Sequence, residues 1–288
     1  MPCPPPACRT LAARQGSRPG AEVGNGMRAI VAIGDIHGHP ETLTRLLRDA
    51  GLIGAGHAWT GADSALWLLG DLTDRGPDGI GVIDLVMRLQ REAAASSGEV
   101  NVLLGNHDLL LLAASPFAAM ASSGATPLFR ADWTYNGGRD SDLKRLTPDH
   151  ARWLVNLPAM ALVRNHLLVH ADALIYADYG RSIPEVNQTV TQMLHSTEPT
   201  QWDQLLGDFT QRLAFADPRS GPSAADTLLN RFGGRRILHG HTPIPLVTGQ
   251  PAATVREPLA YADGRCLNLD GGIFLGSPGF VYRLPVLA

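Results

Sequence analysis

Lysine is almost missing from this sequence. Of 24 basic residues one is lysine, Lys144, and the rest are arginine. A Schiff-base lysine or a phosphate-loop lysine would have to be that residue, and its setting, Asp142-Leu143-Lys144-Arg145, resembles neither. Cysteine is also scarce. Cys3, Cys8 and Cys266 cannot build a disulfide framework, and there is no Cys-x-x-Cys zinc spacing, which fits a reducing, cytoplasmic setting. No apolar run approaches the ~18 residues of a membrane span. The densest, Leu109 to Ala114, is far shorter. A formal net charge of −3 excludes a broad basic footprint for nucleic acid. Hydrophobic residues at 44% and charged residues at 18% argue against wholesale disorder.

What the sequence does hold is ten histidines, and the question is whether they are scattered or arranged. Its 288 residues suffice for one or two domains. Residues 1–26 are rich in Pro, Gly and Arg and poor in bulky apolar side chains, so they read as a disordered extension without the apolar core of a secretory signal. Met27 immediately precedes the first strand pattern, so 27–288 is expected to form one catalytic domain; the extension is either a genuine tail or a segment upstream of the natural start.

From there strands and helices alternate. Arg28 to Ile33, Ala65 to Leu69 and Val100 to Leu104 are apolar runs of strand length. Pro40 opens a helix with Leu43, Leu46 and Leu47 on one face, and Ile80 to Leu89 has helical periodicity. This alternation predicts parallel β-α-β units, whose chemistry lies beyond the carboxyl ends of the strands. Residues 116–160 read as helix and loop, and 180–232 as mostly helical and polar. His166 to His170 and Arg236 to His239 are further strands. Cys266 to Leu269 and Phe280 to Leu284 read as short strands around Gly271-Gly272 and are expected in a second sheet.

Five strand ends carry metal-binding residue types. They are Gly34-Asp35-Ile36-His37-Gly38, Gly70-Asp71-Leu72-Thr73-Asp74-Arg75-Gly76, Gly105-Asn106-His107-Asp108, His170-Ala171-Asp172 and His239-Gly240-His241-Thr242. Asp35 and Asp71 are 36 residues apart and Asp71 and Asn106 are 35 apart, each one β-α unit. Any one of these elements alone would be a common turn or a buried polar residue. Together they put Asp, Asn and His on one rim, and the preceding glycines permit sharp turns there. Mixed oxygen and imidazole ligands without thiolate suit Mn, Fe or Zn rather than a structural zinc site. A carboxylate such as Asp71 can bridge two cations, the arrangement used for phosphoester hydrolysis.

These motifs, in this order and spacing, resemble the signature of the calcineurin-like metallophosphoesterases of phosphoprotein-phosphatase type. Trp133-Thr134-Tyr135-Asn136-Gly137-Gly138 resembles an element of the bacterial and phage serine/threonine protein phosphatases. Thr73 stands where the family usually has valine, a β-branched replacement of similar size. The resemblance, from about residue 28 to 285, implies a four-layer α/β/β/α sandwich of two mixed sheets flanked by helices. It also implies two divalent metal ions, manganese first, with iron or zinc as alternatives.

In that family pattern Asp35, His37 and Asp71 would hold one ion, and Asp71, Asn106, His170 and His241 the other. A hydroxide bridging them would attack phosphorus in line. His107 would be the general acid, supported by Asp74, and Arg75 would fork two phosphate oxygens. Arg75 could instead form an ion pair with Asp74 or Asp78. A second phosphate-binding arginine is expected between the two late histidines, with Arg212 and Arg219 both open. Asp172 and His239 are candidates to orient ligands, Asp108 to cap a helix, and Trp59, Trp67, Trp133, Trp153 and Trp202 to pack. The expected substrate is a phosphoprotein or a small phosphoester, with no nucleic acid or membrane partner. Symmetrical cleavage of diadenosine tetraphosphate is the alternative activity, and a silent metal-binding module a minor one.

Overall fold

The computed structural model describes residues 29–285. The 1–26 extension, Met27 and the Arg28 start of the first strand lie outside the described residues. Among the described residues nine short strands form two sheets. They are β1 (Ile30–Ile33), β2 (Ala65–Leu68), β3 (Glu99–Val102), β4 (Met160–Val163), β5 (His166–Val169), β6 (Arg236–His239), β7 (Leu259–Tyr261), β8 (Cys266–Asn268) and β9 (Tyr282–Arg283). One sheet runs β3-β2-β1-β9 and the other β4-β5-β6-β8-β7.

Alternation along each strand explains the layers, because successive side chains leave opposite faces. Ile30 and Ala32 of β1, Ala65 and Trp67 of β2, Leu168 of β5, Leu238 of β6 and Leu267 of β8 share one buried cluster. Their neighbours Val31, Ile33, Leu66, Leu68, Leu167, Val169 and Ile237 join a second cluster with the helical leucines. The first cluster is the layer between the sheets, and the second packs each sheet against its helices. The result is two mixed sheets flanked by helices.

The inner strands β1, β2 and β3 are parallel, as are β5, β6 and β8. The outer strands make both sheets mixed, as the family resemblance implies. β4 and β7 pair antiparallel with β5 and β8. Phe280 to Leu284 does not join Cys266 to Leu269. Its strand, β9, adds antiparallel to β1 in the first sheet. The chain therefore ends by returning to the sheet it began, where Phe280 and Leu284 fill the layer between the sheets. Met160–Val163, at the edge of a stretch read as helix and loop, is also a strand.

The helices follow their sequence signals. Helix Pro40–Asp49 has proline in its first turn and buries Leu43, Leu46 and Leu47. Helix Gly79–Ala94 is capped by Asp78, whose carboxylate accepts the Gly81 N–H at 2.7 Å. Residues 180–232 are helical as expected but less polar in role, since Trp202, Phe209 and Phe215 are fully buried. Among the described residues no helix is long and apolar enough to cross a membrane.

Candidate metal centre

The carboxyl ends of β1, β2 and β3 meet those of β5 and β6, so the two sheets contribute to one site. His170 spans the gap, donating Nδ1–H to the Leu69 carbonyl at 2.8 Å. Both oxygens of Asp35 accept the His241 N–H at 3.0 Å. Gly240 makes that approach possible, because a Cβ there would lie 2.1 Å from Asp35 Oδ1. His37, Asp71, Asp74, Arg75 and His241 all have φ between +48° and +71°. Such left-handed backbone is unfavourable for side chains other than glycine and tends to gather at functional sites.

Hydrogen bonds set the tautomers of the imidazoles. His37 gives Nδ1–H to the Thr73 carbonyl at 3.0 Å, which turns Nε2 inward, 3.6 Å from Asp71 Oδ2 and 3.8 Å from Asp35 Oδ2. With His170 Nδ1–H on Leu69, its Nε2 faces Asn106 Oδ1 at 3.0 Å and Asp71 Oδ1 at 3.3 Å. His241 gives Nε2–H to the Thr210 carbonyl at 3.4 Å, and its Nδ1 faces the same Asn106 oxygen at 2.8 Å. The lone pairs of His170 Nε2, His241 Nδ1 and Asn106 Oδ1 thus converge with no proton between them. Acceptors so placed repel one another, and a cation between them relieves this.

Charge points the same way. Asp35, Asp71, Asp74, Asp108 and Asp270 are all buried around the site, and the guanidinium of Arg75 acts on Asp35 and Asp270 there. Burial and the neighbouring carboxylates of Asp270 and Asp71 hold Asp35 well above the usual carboxylate range. Burial also presses on Asp71, but His170, His107, His37 and His241 together hold it far below that range. Burial pushes the pKa values of His37, His170 and His241 down, which favours the neutral form that can ligate. Two triplets of possible ligand atoms form around a shared carboxylate, His37–Asp71–His107 and Asp71–His170–His241. Each triplet could hold a metal ion, and Asp71 is common to both.

His107 has a second tie. Its Nδ1 donates to Asp74 Oδ2 at 2.9 Å, and its Nε2 points outward to Arg75 Nη2 at 2.7 Å. Its backbone N–H donates to Asp71 Oδ1 at 2.9 Å. Arg75 bridges His107 and His37, with Nη1 2.9 Å from His37 Nε2. Arg75 thus forms neither of the ion pairs weighed from sequence. Asp74 serves His107, and Asp78 pairs with Arg145 at 2.5 Å.

The remaining candidates separate. The charge of Arg212 is felt at His241, where with burial and His170 it lowers the imidazole pKa. Arg219 is exposed on a turn where Asp217 accepts its backbone N–H at 2.9 Å. Asp108 caps Gly105 at 3.2 Å as expected, and its other oxygen accepts Leu72 N–H at 3.0 Å. Asp172 binds Thr242 Oγ1 at 2.6 Å and Leu213 N–H at 2.9 Å, so it holds the loops beside His241 and Arg212. His239 faces away, to the Tyr261 hydroxyl at 2.7 Å.

Three residues of the site escaped the sequence reading. Asp270 follows β8 in Leu269-Asp270-Gly271-Gly272, the same strand-end pattern as the others, and that signal could have found it. Its Oδ2 is buried with no hydrogen-bond partner. Phe274 lies with its ring centroid 5.0 Å from that of His37 and 4.2 Å beneath the Arg75 guanidinium, with no signal in sequence. Trp133 was expected to pack, and it does, but its indole also donates to Asp74.

Comparison with known proteins agrees with this geometry. The profile of the calcineurin-like phosphoesterase family matches residues 28–245. The Shewanella-like protein phosphatase 1 of Plasmodium berghei is 27% identical over 227 residues, which cover 75% of this chain and 61% of that protein. The symmetrical bis(5'-nucleosyl)-tetraphosphatase of Dechloromonas aromatica is 34% identical over 151 residues, 51% of this chain and 44% of that one. The chain thus spans less than two thirds of either relative. The solved cold-active protein-tyrosine phosphatase of a psychrophilic Shewanella species shares the fold, with a TM-score of 0.68 at 19% identity over 90% of this chain and 76% of that one.

Proposed function

Because the chain belongs to the calcineurin-like phosphoesterase family, we propose that it hydrolyses phosphomonoesters, with phosphoserine and phosphothreonine in proteins as its substrates. Asp35, His37 and Asp71 would hold one divalent ion, and Asp71, Asn106, His170 and His241 a second. Bound there, the ions would supply Lewis acidity and a water deprotonated near neutral pH. Manganese is the first choice for an oxygen and imidazole set, with iron or zinc as alternatives.

The residues of the chain do the rest. The planar fork of Arg75 lies at the site with its two Nη groups on His37 Nε2 and His107 Nε2, and two oxygens of a phosphoryl group would take their place as its partners. Arg212 adds positive charge from the His241 side. His107 keeps Nδ1–H on Asp74 and turns Nε2 to the same place as the Arg75 fork. A proton carried on that Nε2 passes to the leaving alkoxide, and the buried Asp74 carboxylate stabilises the imidazolium that carries it. The observation that carries the reading is this juxtaposition of an Asp74–His107 pair and an arginine fork beside converging ligand lone pairs.

Symmetrical dinucleoside tetraphosphate cleavage is a second reading, favoured by the relative from Dechloromonas aromatica. Turnover of a phosphoserine peptide and of diadenosine tetraphosphate, side by side with manganese, separates the two. The proposal expects the peptide to be the better substrate, and His107→Asn to lower kcat on it by ~10²–10⁴-fold. Faster turnover of the dinucleotide, or a His107→Asn enzyme equal to wild type, overturns it.

A further inference from the structure

We propose that Trp133 is a positioning residue for proton transfer, its indole N–H fixing the Asp74 carboxylate so that Asp74 in turn fixes the tautomer and aim of His107. The inference rests on the proton-donor reading of His107 given above.

Trp133 Nε1 lies 2.7 Å from Asp74 Oδ1, and Asp74 Oδ2 lies 2.9 Å from His107 Nδ1. All three side chains are buried. Each oxygen of the carboxylate thus has its own donor. Burial raises the pKa of Asp74 above the usual carboxylate value, and the bonds from His107 and Trp133 offset part of that rise. Without the indole N–H, Oδ1 would be a buried acceptor with no partner. Such a group is costly, so the carboxylate would turn to share the imidazole N–H or take up a proton. Either change alters what His107 can donate.

Asp74 and Arg75 both sit at positive φ, +65° and +63°. The Arg75 N–H donates to the Gly137 carbonyl at 2.8 Å. A Cβ on Gly138 would lie 2.2 Å from the Trp133 ring, so a residue without one is needed for the indole to occupy its place. The Trp133-Thr134-Tyr135-Asn136-Gly137-Gly138 element therefore braces both Asp74 and Arg75, one through the indole and the other through a backbone carbonyl. Packing alone would ask only for a large apolar ring at 133. The aimed donor is what it would not ask for.

The test separates proton transfer from general damage. Trp133→Phe removes the donor. Site-specific replacement of Trp133 by β-(3-benzothienyl)alanine removes it while keeping the bicyclic shape. Both proteins are assayed with manganese on a phosphoserine peptide, whose alkoxide must be protonated, and on p-nitrophenyl phosphate, whose leaving group needs little help. The expected result is a loss of roughly tenfold in kcat on the peptide, less than about twofold on p-nitrophenyl phosphate, and unchanged KM on both. Equal losses on both substrates, or a loss carried by KM, overturn the role of Trp133. His107→Asn runs in parallel. If it lacks the substrate difference, the proton-donor reading fails; if it shows the difference and the Trp133 variants do not, this inference alone fails. A further measurement uses the unaltered indole. The Trp133 N–H resonance of ¹⁵N-labelled protein is expected to move upfield when Asp74→Asn weakens its acceptor, and an unmoved resonance overturns the contact.

Discussion

The guanidinium of Arg75 lies 4.2 Å from the ring centroid of Phe274, stacked on a half-buried aromatic at the edge of the site. Arginine side chains are long, and a fork that must meet phosphate loses rotamer freedom on binding. Stacking on Phe274 restricts that freedom beforehand, and a cation over an aromatic face contributes about 0.5–2 kcal/mol. Phe274→Ala is expected to raise KM for phosphoesters, and the inhibition constant of inorganic phosphate, by roughly 3–10-fold. The kcat should change little, and Phe274→Tyr should restore binding. A Phe274→Ala enzyme with unchanged phosphate inhibition would refute the stacking role.

The buried carboxylates predict what metal removal does. Chelated protein keeps Asp35, Asp71 and Asp270 close together without a cation to offset them. Manganese should therefore raise Tm, with about 2.7 kcal/mol of added stability at a hundredfold excess over Kd. Asp71→Asn, at the shared position of both ligand triplets, should lose most of that shift. Thermal unfolding with chelator and with manganese measures it. A full manganese shift in Asp71→Asn would contradict a bridging role.

Arg212 and Arg219 should separate cleanly. Arg212 acts on His241 from the 210–215 segment, while Arg219 sits on an exposed turn. Arg212→Ala is expected to raise KM about 3–10-fold, as for loss of a charge-assisted contact, and Arg219→Ala to stay within about twofold. Steady-state kinetics on one phosphopeptide suffice, and the reverse order would exchange their roles.

Much of this site was legible because strand ends and ligand types coincide along the sequence. Asp35, Asp71, Asn106, His170 and His241 announce themselves by following apolar runs. Distances across the fold were not legible in that way. Trp133 meets Asp74 across 59 positions of sequence, and a tryptophan on a helical face carries no mark of where its N–H points. The placement of β9 beside β1 was hidden for a similar reason. A two-residue strand has too little pattern to declare its partner, and it is the burial of Phe280 and Leu284 between the sheets that decides. Arg212 and Arg219 could not be ranked until the 210–220 segment had a path.

Asp270 predicts a pH dependence of the metal-free protein. Burial raises its carboxyl to about 7, against about 3.8 for an ordinary aspartate. Between those values the folded chain holds a proton that the unfolded chain has lost. Stability therefore falls as pH rises from about 4 to about 7, and this contribution is flat above 7. Asp270→Asn removes the slope and relieves the repulsion on Asp35, an effect of the same sign. In chelator, urea unfolding should find the variant more stable than wild type at pH 8, with the gap nearly closed at pH 4.5. An equal gap at both pH values would show that the carboxyl is not titrating in that range.

Gly240 offers a test of geometry without touching a ligand. A Cβ there would stand 2.1 Å from Asp35 Oδ1, and the residue does not need positive φ, so Gly240→Ala acts by steric pressure on one carboxylate. The strand before it, β6, is buried and parallel-paired on both sides, so the methyl group cannot be absorbed by moving the backbone far. The Asp35 carboxylate must give way, losing its bonds from the His241 N–H. Gly240→Ala is expected to bind about one manganese ion tightly instead of two, since Asp35 serves only one of the two ligand sets, and to lose activity in proportion. Metal content after dialysis against a weak chelator reads the stoichiometry, and far-UV circular dichroism checks that the fold persists. Two ions retained with full activity would mean that Asp35 is not a ligand.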